Sequence, residues 1–187
     1  MTDVPTKRPQ PPEPKRVLST VIVNTGDGKG KSTAAFGIVM RSVARGWRVC
    51  VIQFLKSGKW HTGEEEMADR LGVDFNPLGD GFTWDSEDLD ATRAQAVAAW
   101  NAGKQVIAAG EHHLVVLDEI TYPMNWKWIS TDDVVETIRS RPATVNIVAT
   151  GRDAPAALLD VADTATEMRK LKHAYDAGVR ARRGIDY

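Results

Sequence analysis

The sequence predicts an α/β fold, a mostly parallel sheet with helices on both faces. Short β-prone runs alternate with helical patterns along the 187-residue chain, a Gly-rich loop joins the first such run to the first helix, and the other informative loops also follow strand ends. Parallel sheets bind ligands at the carboxyl ends of their strands, so these observations also place the functional residues.

Residues 1–16 carry Pro5, Pro9, Pro11, Pro12 and Pro14 among Lys, Arg and Glu. That composition buries no core and reads as a flexible arm ahead of a single domain over residues 17–187. Leu18 to Val23 is the first β-prone run, of the kind buried in parallel sheets. The loop Asn24-Thr25-Gly26-Asp27-Gly28-Lys29-Gly30-Lys31-Ser32-Thr33 follows, and Ala34 to Met40 starts a helix expected to reach Gly46. Arg48 to Phe54 is a second apolar strand. A polar loop over 57–66 runs into Glu64-Glu65-Glu66, acids that suit a first helical turn because they oppose the helix dipole. Val73 to Pro77 is a short strand, followed by a loop from Leu78 to Trp84. A helix then begins near Asp85 or Ser86, with Val97, Trp100, Val106 and Ile107 as its apolar stripe. Leu114 to Leu117 is a buried strand ending in Asp118-Glu119. Ser130 or Thr131 caps the next helix, which has Asp132 and Asp133 early, Arg139 and Arg141 late, and Pro142 beyond. Val145 to Ala149 is a further strand, ending at Thr150-Gly151-Arg152. The tail from Lys172 to Tyr187 is unusually polar for a packing helix, and its spacing is compatible with a frayed surface helix.

Composition narrows the function classes. With 42% hydrophobic residues, 26% charged residues and a formal net charge of −1, the chain is that of an ordinary soluble globular protein without a general affinity for nucleic acid or membrane. No apolar run approaches a membrane span, and no signal-peptide core follows the start. The single cysteine, Cys50, sits in the apolar run Val49-Cys50-Val51-Ile52 and reads as a small buried hydrophobe. A cytoplasmic protein without disulfides is expected. His61, His112, His113 and His173 form no ligand pattern with cysteine, so zinc is not expected.

The loop over Asn24–Thr33 is a phosphate cradle. Strand, Gly-rich loop and helix is the context that a P-loop requires. Gly26, Gly28 and Gly30 let successive N–H groups turn toward an anion, and the helix N-terminus adds partial positive charge. Lys31 supplies a compact cation, and the Ser32 hydroxyl is a natural Mg²⁺ ligand. One position departs from the usual spacing: where a Gly is expected five residues before Gly30 stands Thr25, with Gly26 one place late. Asp118-Glu119 at a strand end reads either as a carboxylate pair holding Mg²⁺ opposite Ser32, or as a helix cap. Phe82 and Trp84, beside Gly79 and Gly81, read either as core or as the wall of a site for a large, flat, partly apolar ligand.

Together these segments resemble the P-loop corrinoid adenosyltransferases, the ATP:cob(I)alamin and cobinamide enzymes of vitamin B12 assembly and salvage. The resemblance is carried by the loop through Gly37, by Gln53-Phe54-Leu55-Lys56 and Gly81-Phe82-Thr83-Trp84, by Val116 through Tyr122, by Thr150-Gly151-Arg152, and by Lys172-His173 through Gly184-Ile185-Asp186-Tyr187. It covers residues 18 to 187, and Asp153-Ala154-Pro155-Ala156 departs from the family's more usual Gly/His/Arg-containing version. The family implies a RecA-like sheet, a homodimer, and ATP bound in an orientation reversed from ordinary P-loop proteins. Its reaction moves the 5′-deoxyadenosyl group of ATP onto Co(I) of a corrinoid and releases triphosphate, with a flavoprotein reductase supplying electrons. By the same resemblance Lys31, Ser32 and Thr33 bind phosphate and metal, and Glu119 with Asp118 binds Mg²⁺ or Mn²⁺. Arg41 assists the polyphosphate, and Asp27 contributes through its backbone. Phe82 and Trp84 exclude the lower axial ligand of Co(II), which eases its reduction. The residues alone also admit a P-loop phosphotransferase or ATPase, or a non-catalytic ATP-sensing module.

Overall fold

The computed structural model describes residues 13, 15–54, 62–78 and 89–186. In chain order its elements are β1 (Val21–Thr25), α1 (Lys31–Ala44), β2 (Val49–Phe54), α2 (Gly63–Arg70), β3 (Asp74–Leu78), α3 (Leu89–Ala109) and β4 (Leu114–Asp118). There follow α4 (Thr121–Asn125), α5 (Thr131–Arg139), β5 (Asn146–Thr150), α6 (Ala156–Asp160), β6 (Thr164–Glu167) and a 3₁₀ turn at Ala174–Ala177. The six strands form one sheet in the order β3-β2-β4-β5-β1-β6, every neighbouring pair parallel. The expected α/β architecture is therefore present. β5 stands between β1, which feeds the Gly-rich loop, and β4, which ends in the acid pair, as a RecA-like sheet requires.

Period-2 alternation of the strand residues explains why both faces are covered. Val49 and Val51 of β2, Leu114 and Val116 of β4, and Val148 of β5 join Ala35 and Val39 of α1 and Ala68 of α2 in one buried cluster. Cys50, Ile52, Phe54, Val115, Leu117, Ile147 and Ala149 point the other way, into a second cluster with Trp100 and Ile107 of α3, Val134 and Ile138 of α5 and Leu158 of α6. Cys50 is the buried hydrophobe expected, and burial pushes its thiol pKa up to about 11.

Local chemistry sets several boundaries where the sequence predicts them. The Thr62 hydroxyl accepts from Glu65 N–H at 3.3 Å, so Glu64, Glu65 and Glu66 do occupy the first turn of α2. Ser130 caps α5 by accepting from Asp133 N–H at 3.4 Å. Other boundaries move. β1 starts at Val21, not Leu18, because Thr20 N–H donates to the Asn146 side chain at 2.9 Å and Leu18 is left exposed. The buried face of α3 is Thr92, Ala96, Ala99, Trp100, Gly103 and Ile107, small residues for the most part, which let the helix lie close to the sheet. A Cβ on Gly103 would stand 3.0 Å from Ile52 Cδ1. The sequence pattern does not announce α4, α6 or β6; all four residues of β6 are exposed, so it has no apolar run to mark it. The arm over 1–12, the loop with Phe82 and Trp84, and residues 85–88 lie outside the described residues.

Candidate nucleotide site at the strand ends

β1 hands the chain to α1 through residues 26–30. Gly26 and Gly30 take φ of 94° and 118°, in the left-handed region that favours glycine. No side chain caps α1, whose first intrahelical bond runs from Ala34 N–H to Gly30 O at 2.8 Å. The preceding N–H groups of the first turn, those of Lys31, Ser32 and Thr33, are thereby offered to an anion. The third glycine behaves differently from expectation. Gly28 N–H donates to Met168 O at 2.5 Å, and a Cβ there would stand 2.7 Å from that carbonyl group. Gly28 is thus needed so that the chain leaving β6 can back the loop.

Lys31 is buried and its ammonium donates to Gly28 O at 2.9 Å, inside the loop that it would serve. Burial holds its pKa below the ordinary lysine value and Arg152 adds to the depression, while Glu119, Asp27 and Asp118 oppose it. These four charged groups therefore act on the lysine through space. Thr25, at the position where a Gly is expected, has a structural use: its hydroxyl accepts from Ala154 N–H at 3.0 Å and its carbonyl from Met168 N–H at 2.7 Å. Lys29 turns away toward the tail, pairing with Asp186 at 2.5 Å. The Lys29 bond, with a second from Arg182 N–H, holds the Asp186 carboxyl below the ordinary aspartate pKa. Lys29 and Asp186 line one side of a cleft of about 400 Å³ that also presents Lys172, His173, Tyr175 and Arg180.

The acid pair is divided by its surroundings. Asp118 is completely buried, its Oδ2 accepting from Gln53 Nε2 and its Oδ1 from the Thr150 hydroxyl, both at 2.7 Å. Glu119, partly exposed, holds a left-handed φ of 64° and donates its N–H to the Thr150 hydroxyl at 2.9 Å. A divalent cation such as Mg²⁺ takes hard oxygen ligands, and the Ser32 hydroxyl and Glu119 carboxylate are of that kind. Asp118, completely buried, has no face open to a cation. Among the described residues no three His, Cys, Asp or Glu side chains gather as a metal cage, so a cation here would complete its shell with phosphate oxygens and water.

The neighbouring loop is tightly built. Gly151 has φ of 140°, and a Cβ on it would collide with the Thr121 hydroxyl oxygen. That hydroxyl donates to Arg152 O at 2.6 Å, and Asn125 Nδ2 donates to Asp153 O at 3.0 Å. Burial raises the Tyr122 pKa, with Glu119 adding to the effect. The fold brings together Asn24 through Thr33 with Asp118 and Glu119. Arg41 is not brought to them: it lies exposed in the last turn of α1, about 15 Å along the axis from Lys31 at 1.5 Å per residue. Phe82 and Trp84 fall outside the described residues. Gln53, Thr150 and Arg152 belong to the motifs of the resemblance but gain a role only from the fold; their positions at the carboxyl ends of β2 and β5 are the clue that the sequence offers.

A family model described as "ATP:corrinoid adenosyltransferase BtuR/CobO/CobP" matches residues 18–187. The chain is 42% identical to the corrinoid adenosyltransferase CobA of Salmonella typhimurium strain LT2 over 167 residues, which is 89% of this chain and 85% of that protein. It is 41% identical to the corrinoid adenosyltransferase of Escherichia coli K12, with the same shares of each chain covered. Identity to the Pseudomonas aeruginosa corrinoid adenosyltransferase is 40%, over 89% of this chain and 83% of that one.

Proposed function

The chain belongs to the ATP:corrinoid adenosyltransferase family, and from that premise we propose that it transfers the 5′-deoxyadenosyl group of ATP to the Co(I) centre of a corrinoid, with triphosphate as the leaving group. Cobalt supplies the electron pair: a Co–C5′ bond forms, the C5′–O bond breaks, and the triphosphate departs with that bond's electrons. Since the corrinoid substrate carries the reactivity, the protein's part is orientation and charge stabilisation.

The observation that carries this reading is the buried Lys31 ammonium at the uncapped N-terminus of α1. Anchoring of the polyphosphate by first-turn N–H groups and Lys31 leaves the adenosyl end directed outward, toward the corrinoid. The Ser32 hydroxyl and Glu119 carboxylate hold Mg²⁺ or Mn²⁺, which when bound adds compact positive charge beside the phosphates. Thr33, Asn24, Thr25, Gly26, Asp27, Gly28 and Gly30 shape the cradle together with the backbone of Lys29, whose side chain pairs with Asp186. Phe82 and Trp84, carried by the family motif, displace the lower ligand of Co(II), so that reduction by a flavoprotein becomes feasible. A cytoplasmic homodimer completes the proposal; no helix among the described residues is long and apolar enough to cross a membrane.

Analysis of phosphate products during turnover with prereduced corrinoid tests the assignment. One intact triphosphate per adenosylated corrinoid is expected. Stoichiometric ADP would overturn it in favour of phosphoryl transfer.

A further inference from the structure

Four buried polar side chains cross the centre of the sheet in one line: Gln53 on β2, Asp118 on β4, Thr150 on β5 and Asn24 on β1. Gln53 is registered with Asp118, Thr150 with Asn24, and Asp118 follows the Leu117–Ala149 pair by one position. By alternation all four face the side that α1 covers. Thr150 stands between Asp118 and Asn24 in the line and has no exposed surface. Its one hydroxyl hydrogen goes to Asp118 Oδ1 at 2.7 Å, and its own Oγ1 accepts from Glu119 N–H at 2.9 Å. A single hydroxyl thus ties the buried acid to the backbone of the neighbouring one, whose φ of 64° is unfavourable for a side-chain-bearing residue.

We propose that Thr150 is a positioning residue for metal-bound ATP: its hydroxyl fixes Glu119 in the left-handed conformation that presents the carboxylate, with Asp118 held behind it. This rests on the proposed role of Glu119 toward the metal. Outer partners of metal ligands commonly change metal affinity 10- to 100-fold when removed.

The test compares two dissociation constants by calorimetry, for ATP with equimolar Mn²⁺ and for ATP in EDTA. Thr150→Val keeps the β-branched shape and removes the hydroxyl. It is expected to weaken Mn²⁺–ATP binding about 10- to 100-fold while metal-free ATP binds as in the unsubstituted protein; Thr150→Ser restores the metal-dependent gain. A merely structural role would move both constants together, which overturns the proposal. Glu119→Gln separates the two levels. If it loses the metal gain and Thr150→Val does not, the positioning role fails and the metal reading stands. If Glu119→Gln keeps the gain, the metal reading fails and the proposal with it. Should Thr150→Val not fold, Thr150→Ala against Thr150→Ser makes the same comparison, and equal constants for the two overturn the proposal.

Discussion

Lys31 shows how a single residue is prepared for its task. A lysine in water carries a well-hydrated charge, but this one is buried against the loop, and burial lowers its pKa while Glu119, Asp27 and Asp118 hold it up. Its present partner, the Gly28 carbonyl at 2.9 Å, satisfies one of three N–H donors. A polyphosphate entering the loop meets a cation that is already positioned and partly dehydrated, where electrostatic contacts are strong. Lys31→Ala is therefore expected to reduce kcat/KM by about 10²- to 10³-fold, or roughly 3 kcal/mol of transition-state stabilisation. Steady-state adenosylation from prereduced corrinoid measures this, and a loss below tenfold would remove Lys31 from the charge clamp. Lys31 and Ser32 are legible in the sequence because Gly-Lys-Ser at a strand-to-helix junction is a local pattern. Thr150 and Gln53 are not, since their use depends on strands 32 and 65 residues away, respectively, meeting Asp118.

At the scale of elements, legibility depends on whether burial writes itself into periodicity. β2, β4 and β5 are covered on both faces, and their apolar runs predict them within a residue or two. β6 is exposed throughout and carries Thr-Ala-Thr-Glu; only its pairing with β1 makes it a strand. The large residues of α3 mark it as a helix, whereas Ala96, Ala99 and Gly103 make much of its close contact with the sheet. The junction of β5 with α4 leaves no room for a Cβ on Gly151, and it predicts a measurable asymmetry between glycines. Gly46, at φ 78°, has open space where a methyl group would stand, so Gly46→Ala meets only the conformational penalty, about 1 kcal/mol. Gly151→Ala meets that penalty and a collision with the Thr121 side chain, which must give up its bond to Arg152 O. A loss of about 3 kcal/mol or more is expected for it, since unfavourable φ and a lost buried hydrogen bond each cost about 1–3 kcal/mol. Urea unfolding of the two variants decides: equal midpoints would mean that the Thr121 contact relaxes without penalty.

Across the whole molecule, the nucleotide site gathers segments from nearly the full length of the chain. The loop after β1, the ends of β4 and β5, the exit of β6 at Met168 and the tail at Asp186 all meet there. The left-handed residues Glu119 and Asp153 and the glycines 26, 30 and 151 lie in these same segments. Local strain at a binding site persists only where the rest of the fold enforces it, so the site exists only in the folded chain and a ligand bound there favours folding. Binding should therefore be read out as global stability. A ligand at 100 times its Kd that binds only the folded state adds about 2.7 kcal/mol. For a chain of this size, each kcal/mol raises Tm by about 2–4 °C, so saturating Mg²⁺–ATP is expected to raise Tm by about 5–10 °C. Lys31→Ala should lose most of that gain, because the buried cation faces the ligand. Arg41→Ala should keep it, because Arg41 stands in the last turn of α1, about 15 Å along the helix axis from Lys31. Thermal unfolding of the three proteins, each with and without Mg²⁺–ATP, provides the comparison. A gain lost in Arg41→Ala would show that this arginine reaches the polyphosphate by a route other than its own helix, while a gain retained in Lys31→Ala would place the nucleotide elsewhere.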